Sequence, residues 1–205
     1  MPLSPELATL NTPSLKAQKR QIRREKRRAR RALNAQQRRR ASLSLARRIR
    51  ASLPFMRARH IALYWPLPEE IDPTALLHTR AMAAKKLWYL PVITSTGMNF
   101  YNYTPGATLR ANRYGVPEPA TRGVAPVKPW MLDLVIVPLV SFDRQLTRLG
   151  MGGGFYDRYF EQKQPALSRP YFLGVGFECQ ASDQDLPREP WDIVLDAVVT
   201  EEGWY

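Results

Sequence analysis

Apolar positions fall into two regimes along the chain, sparse and helix-spaced before Pro54, dense and run-like after His60. In the first regime helix formers dominate from a candidate cap at Ser14 to Leu33, with only Leu15, Ile22, Ala29 and Leu33 as apolar anchors. Asn34-Ala-Gln-Gln37 has capping-box spacing, so a second helix is expected from there to Leu53, stopped by Pro54 and striped by Leu43, Leu45, Ala46, Ile49 and Leu53. The first helix should then be peripheral, held along one narrow face.

In the second regime IALYW, within His60 to Trp65, has the length of a buried strand and ends at Pro66. Asp72-Pro73 is a cap and first-turn pair for a helix expected through Ala84, with Lys85 and Lys86 placed favourably against its dipole. Leu87 to Ile93 and Met98 to Tyr103 read as an edge hairpin, and residues 104–131, with five Pro and three Gly, as an irregular excursion. The clearest strand is Asp133 to Val140, apolar enough for both faces to be covered, with Pro138 implying a bulge or an end. A helix from Phe155 to Gln162 and strands at Tyr171 to Phe177 and Ile193 to Val199 complete the pattern. The alternation predicts an α/β fold: a single three-layer domain over residues 14–205, a mostly parallel open sheet flanked by helices, with a basic N-terminal helical arm and a disordered leader over residues 1–13.

Charge sharpens this picture. The 205-residue chain carries a net +13, yet residues 16–50 hold 16 Lys or Arg against the single acid Glu25, so the body is close to neutral. A concentrated basic segment suits a phosphate-binding arm, and equally a solvated helical face. No apolar run approaches the ~20 residues of a membrane-spanning helix, and a cytoplasmic protein is the default. A lone Cys179 excludes an intrachain disulfide, and two histidines, His60 and His78, exclude a three-histidine zinc site.

The densest motif is RLGMGGGFYDRYF, Arg148 to Phe160, directly after the strongest strand. Its glycines permit positive φ and close backbone approach to an anion beside a helix start, although it is neither a P-loop nor a dinucleotide fingerprint. A structural hinge would use the same glycines. Arg148 and Arg158 add phosphate-binding guanidiniums, and Asp157 is either a divalent-cation ligand or a helix-start residue satisfying backbone donors. In YWPLPEEID, Tyr64 to Asp72, aromatic rings followed by Glu69 and Glu70 would stack on a pterin or purine and accept its N–H groups; taken singly, Trp65 is equally a core residue. GVPEP, Gly115 to Pro119, presents Glu118 on a rigid turn and alone is only a loop.

Taken in order, K-R-x-x-R in the basic helix, LYWPLPEEID, LPV, YGVPEP, DLVIVPLV-x-FD, RLGMGGGFYDR and a final LDAVVTE resemble the 5-formyltetrahydrofolate cyclo-ligase (5,10-methenyltetrahydrofolate synthetase) family, collinearly from Lys16 to Glu202. The resemblance implies ATP- and Mg²⁺-dependent cyclisation of 5-formyltetrahydrofolate to 5,10-methenyltetrahydrofolate, giving ADP and phosphate. The formyl oxygen takes the γ-phosphoryl group, N10 attacks the carbon, and phosphate leaves. It also implies ATP contacts at Lys19, Arg20, Arg23, Arg148, Gly150, Met151, Gly152, Gly153, Gly154 and Tyr156. Folate contacts fall on Trp65, Glu70, Met151, Gly152, Gly153, Gly154 and Phe155, Mg²⁺ on Asp157 and Asp196, and the reacting centre on Tyr156 and Arg148.

Two departures stand out: Arg144 to Thr147 (RQLT) replaces a Gly-containing turn, and Phe155 replaces a common second Tyr. The surplus arginines between Arg24 and Arg40 suit a polyglutamylated folate tail or mere solvation. Partners expected are the two substrates, with no membrane, no obligatory nucleic acid and a monomeric state. The rival readings are a nucleic-acid-binding arm on an α/β scaffold, which leaves the Gly-rich loop unexplained, and a sugar-phosphate or CoA enzyme indifferent to ATP.

Overall fold

A computed structural model describes residues 14–78, 86–161 and 169–205. The expected leader (residues 1–13) and the end of the helix expected through Ala84 lie outside the described residues. Helix α1 spans Leu15–Ala32, with the Ser14 side chain accepting from the Ala17 N–H, and α2 spans Ala35–Arg50 behind the full Asn34/Gln37 capping box. Pro54 does not stop a long helix. The chain turns at Ala51, Ser52 caps a new short helix α3 (Leu53–Arg57), and Pro54 sits in its first turn, where its missing N–H is no loss.

Six strands form the main sheet: β1 (His60–Ala62), β2 (Leu87–Ile93), β3 (Met98–Tyr103), β6 (Leu134–Pro138), β9 (Tyr171–Val175) and β10 (Ala197–Val199), in the order β10-β9-β6-β1-β2-β3. All neighbours are parallel except the β2–β3 hairpin at one edge. Two small hairpins were not foreseen, β4–β5 (Arg110–Ala111, Pro117–Glu118) inside the irregular excursion and β7–β8 (Ser141–Phe142, Arg148–Leu149) leading into the Gly-rich loop. Pro138 ends β6, and the first, ninth and tenth strands are shorter than their apolar runs.

Alternation along the strands divides two cores. Ile61, Leu134, Ile136, Leu173 and Val199 face α2 and α3, meeting Leu45, Ile49 and Phe55, while Ala62, Val135, Val137, Phe172 and Val198 meet Tyr159 and Phe160 of helix α4 (Phe155–Glu161). Helices on both faces of a mostly parallel sheet give the expected three layers. After Asp72, which caps Thr74 through its carboxylate, only a 3₁₀ turn, Thr74–His78, is described. Lys86 closes a different helix from the one expected. Its buried ammonium donates to the Phe55 and Ala58 carbonyls, at 2.6 and 2.7 Å, at the C-terminal end of α3.

The chain leaves β1 in one direction through β2 and β3 and later fills the other side with β6, β9 and β10. The connections therefore reverse between β1 and β6, and a crevice at the carboxyl ends of those strands is where such sheets bind ligands.

Candidate active site

That crevice is a cavity of about 940 Å³, bounded by Tyr64 and Trp65 after β1, Pro91 and Ile93 at the end of β2, and Pro138 and Leu139 at the end of β6. Of the residues expected at the site, Lys19, Arg23, Trp65, Glu70, Arg148, Gly150 to Asp157 all line it. Arg20 is exposed and does not line it, and neither does Asp196.

The reason for Asp196 is topological. It immediately precedes β10, at the amino ends of the strands, where its carboxylate accepts from the Phe172 N–H at 2.7 Å and pairs with Arg169. Asp133 does the same before β6, accepting from the Arg59 and His60 N–H groups at 2.8 and 2.7 Å. Both tie neighbouring strands together on the side away from the cavity. The structure thus does not bring Asp196 to Asp157, and no cluster of three His, Cys, Asp or Glu occurs among the described residues.

One end of the cavity is cationic. On α1, Lys19 pairs with Asp192 at 3.0 Å and the Arg23 Nε donates to the Gly150 carbonyl at 2.8 Å. Burial lowers the Arg23 pKa from its usual value, with Asp192 opposing that shift, and the guanidinium stays charged. The same stripe continues away from the cavity: Lys26 donates to the Cys179 and Ala181 carbonyls, and Arg30, 1% exposed, pairs with Glu69 at 3.2 Å and Glu70 at 3.6 Å. Residues 19, 23, 26 and 30 share one helical face. The inner face of α1 is therefore a line of cations, where the sequence pointed to a narrow apolar one; Leu15 is 38% exposed.

The Gly-rich loop folds around these groups. Gly152 and Gly154 take φ of 101° and 61°, and a side chain at Gly152 would meet the Arg23 guanidinium at 3.4 Å. Arg158 donates to the Gly153 carbonyl at 2.7 Å and Arg148, 8% exposed, donates to Asp157 Oδ1 at 2.6 Å. Asp157 Oδ1 also accepts from the Ile193 N–H at 3.2 Å. Both bonds fall on one oxygen, and among the described residues Oδ2 takes no hydrogen bond. Upstream, Leu146 supplies the left-handed turn position, at φ 61°, in the segment that lacks a glycine, with Asp143 Oδ1 holding the Gln145 and Thr147 N–H groups.

The other end is aromatic and acidic. Trp65 stands edge-on to Tyr103 with ring centroids 6.3 Å apart, and the Tyr64 hydroxyl is spent on the Ile71 carbonyl at 2.6 Å. Glu70 accepts from the Leu67 N–H at 3.0 Å; burial raises its pKa, while that bond and Arg30 pull it down. Tyr156 lies between the two ends. Burial pushes its pKa well up, with Arg148 opposing and Glu70 adding to the shift, and its buried hydroxyl has no hydrogen-bond partner among the described residues. A buried orphan donor of this kind is costly unless a ligand satisfies it.

The 5-formyltetrahydrofolate cyclo-ligase family profile matches residues 15–201. The chain belongs to that family. It is 37% identical to the 5-formyltetrahydrofolate cyclo-ligase of Escherichia coli K12 over 179 residues, spanning 85% of this chain and 95% of the relative. The Haemophilus influenzae enzyme of the same name is 36% identical over 187 residues, 88% of this chain and 97% of the relative. The NMR structure of Aquifex aeolicus 5,10-methenyltetrahydrofolate synthetase superposes with a TM-score of 0.77 at 30% identity, covering 91% of both chains. The synthetase of Mycoplasma pneumoniae shares the fold, with a TM-score of 0.67 at 22% identity over 89% of this chain and 98% of that one.

The cyclo-ligase cavity also draws on residues outside the expected site. Asp192 and Trp191 come from the segment before β10, Asn112 and Tyr114 from the β4–β5 hairpin, and Glu118, seen only as part of a loop, ties that hairpin to β2 by accepting from Asn112 Nδ2 at 2.6 Å and the Ile93 N–H at 2.9 Å. Lys26 and Arg30 extend the expected pair Lys19 and Arg23, and the sequence signal for them is the 19/23/26/30 spacing of cations. No helix among the described residues is long and apolar enough to cross a membrane.

Proposed function

We propose that this cavity binds ATP at its cationic end and 5-formyltetrahydrofolate at its aromatic end and transfers the γ-phosphoryl group to the formyl oxygen with loss of ADP, after which N10 attacks the formyl carbon and the oxygen leaves as phosphate, giving 5,10-methenyltetrahydrofolate. The observation that carries it is the single cavity with cations and a glycine-rich backbone on one side, Trp65 and Glu70 on the other, and the unpartnered Tyr156 hydroxyl between them. A formyl group on N5 is amide-like and its oxygen a poor leaving group, so phosphorylation converts it into a good one. Such a transfer asks a protein mainly for alignment and charge neutralisation, and no covalent nucleophile is needed.

The residues divide that work. Lys19, Arg23 and the loop from Gly150 to Gly154 hold the phosphates, Arg148 neutralises charge on the transferring group, and Trp65 and Glu70 hold the pterin by stacking and by accepting its N–H groups. The raised pKa keeps Tyr156 protonated and a donor, suited to the formyl oxygen. Asp157, through Oδ2, is the residue that would hold Mg²⁺, since this ion is commonly bound by one or two carboxylates together with substrate phosphates. Bound there, it would neutralise phosphate charge; Asp196 takes no part in this arrangement. Arg20 stays at the margin of the ATP site, and the exposed arginines of α1 and α2 suit the polyanionic tail of a polyglutamylated folate. We place the enzyme in the cytoplasm as a monomer over residues 14–205.

The direct test is absorbance at the methenyl-folate band after mixing protein with 5-formyltetrahydrofolate and Mg²⁺. A rise that requires ATP is expected, and a flat trace from folded protein rejects the assignment. Gly152→Ala is expected to raise the KM for ATP about ten-fold, because a non-glycine residue in the left-handed region costs about 1–2 kcal/mol and its methyl would stand in van der Waals contact with the Arg23 guanidinium that holds the phosphates. Steady-state kinetics at saturating folate check it.

A further inference from the structure

Three tryptophans, Trp130, Trp191 and Trp204, are more than two-fifths exposed, and of these Trp191 alone lines the cavity. By contrast Trp88 is 2% exposed and packs on Phe55. Isolated exposed apolar side chains are ordinary; this one differs in how its backbone is fastened. Glu189 N donates to Asp192 Oδ2 at 2.8 Å, Asp192 N to the Glu189 carbonyl at 3.1 Å, and Pro190 stiffens the turn between them. Asp192 is paired with Lys19, and the next backbone N–H, of Ile193, bonds Asp157. The indole is thus carried on a rigid turn whose following two residues hold the groups assigned to the phosphates and the cation. Trp191 also lines a second groove of about 530 Å³, together with Phe160, Arg169 and Phe172, so the residue stands between two open spaces.

We propose that Trp191 is the stacking platform for the adenine base of ATP. This rests on the assignment of the phosphates to the cationic end of the cavity. A nucleotide anchored there by its phosphates must lay its base against a flat surface near that anchor. Tyr114, another strongly exposed ring lining the cavity, belongs to the β4–β5 hairpin and among the described residues has no bond to the phosphate-binding groups. Trp191 stands one residue from the partner of Lys19 and two from the partner of Asp157. Because it is exposed, removing it leaves the core intact.

The probe pair is ATP and inorganic tripolyphosphate, each titrated calorimetrically with Mg²⁺ into the full chain and into Trp191→Ala. Stacking on an aromatic side chain is worth about ten-fold in affinity per base. The expected result is ATP binding weakened about ten-fold, tripolyphosphate binding unchanged within about two-fold, and Trp191→Phe recovering most of the loss. ATP binding unchanged in Trp191→Ala overturns the proposal. Equal losses for ATP and tripolyphosphate also overturn it, showing that the residue serves the phosphate cradle. A rise confined to the KM for 5-formyltetrahydrofolate puts the indole against the other substrate and overturns it as well. Failure of the underlying assignment is separately visible, as wild-type protein that gives no ATP-dependent methenyl absorbance.

Discussion

Arg148→Ala is expected to lower kcat for methenyl formation by about a hundred- to a thousand-fold, with a smaller effect on the KM for ATP. That size is typical for deleting one preorganised group aimed at charge that develops in a transition state. Arg148 qualifies because it is 8% exposed and already fixed before substrate arrives: Asp157 Oδ1 holds it at 2.6 Å, and its guanidinium lies 5.8 Å from the centre of the Tyr156 ring. Little reorganisation is left to pay for at the moment of transfer. The substitution also frees Asp157 Oδ1 from its cation and leaves it only the Ile193 N–H, so a shift in the Mg²⁺ response should accompany the loss. Arg148→Lys keeps the charge but not the fork of donors, and should recover only part of the rate. Steady-state kinetics decide the matter; an unchanged kcat with a raised KM would reduce Arg148 to a binding residue.

Arg30→Met is expected to lower stability by about 3–5 kcal/mol, the usual result of removing one partner from a buried ion pair, and to raise the KM for folate. Arg30 reaches from α1 to Glu69 and Glu70, and Glu70 is largely buried at the aromatic end of the cavity. Burial already raises the Glu70 pKa, and Arg30 is one of the groups pulling it back. Without the cation it should rise further. A carboxylate whose folded pKa lies above its unfolded value favours the fold at low pH, and that contribution disappears as pH rises through the folded pKa. The gap in Tm between the two proteins should therefore be widest near neutral pH and narrow as pH falls toward the ordinary carboxylate range. Thermal unfolding across a pH series measures this, and a gap that does not change with pH would mean Glu70 does not depend on Arg30 for its charge.

Most of the sheet was legible because its strands are apolar runs too long and too uniform for anything but a covered sheet, as in Leu134 to Val137. The structure departs from the sequence expectation at places where one residue type supports two outcomes. Pro54 can end a helix or open one, and only Ser52, which caps the following turn, decides it. Asp196 lies in a motif resembling a metal-binding segment, yet whether an aspartate beside a strand faces a ligand or a neighbouring backbone depends on which end of the strand it occupies. The loop from Arg148 to Asp157 was legible because the glycines, guanidiniums and carboxylate are contiguous. Trp191, Asp192 and Asn112 were not, since each enters the cavity from a segment whose local sequence carries no phosphate or folate signature.

The line of cations on α1 has a consequence for how the protein is assembled. A helix seated by oily contacts is held by burial alone, whereas one seated by Lys19, Arg23, Lys26 and Arg30 against carboxylates and carbonyls is held by charge, which dissolved salt screens least where the pair is buried, as at Arg30. Two of those four groups also face the triphosphate in the proposed complex. The nucleotide would then act as mortar as well as fuel: it adds a bridge between the N-terminal helix and the sheet, so that occupancy of the site and docking of the helix are coupled.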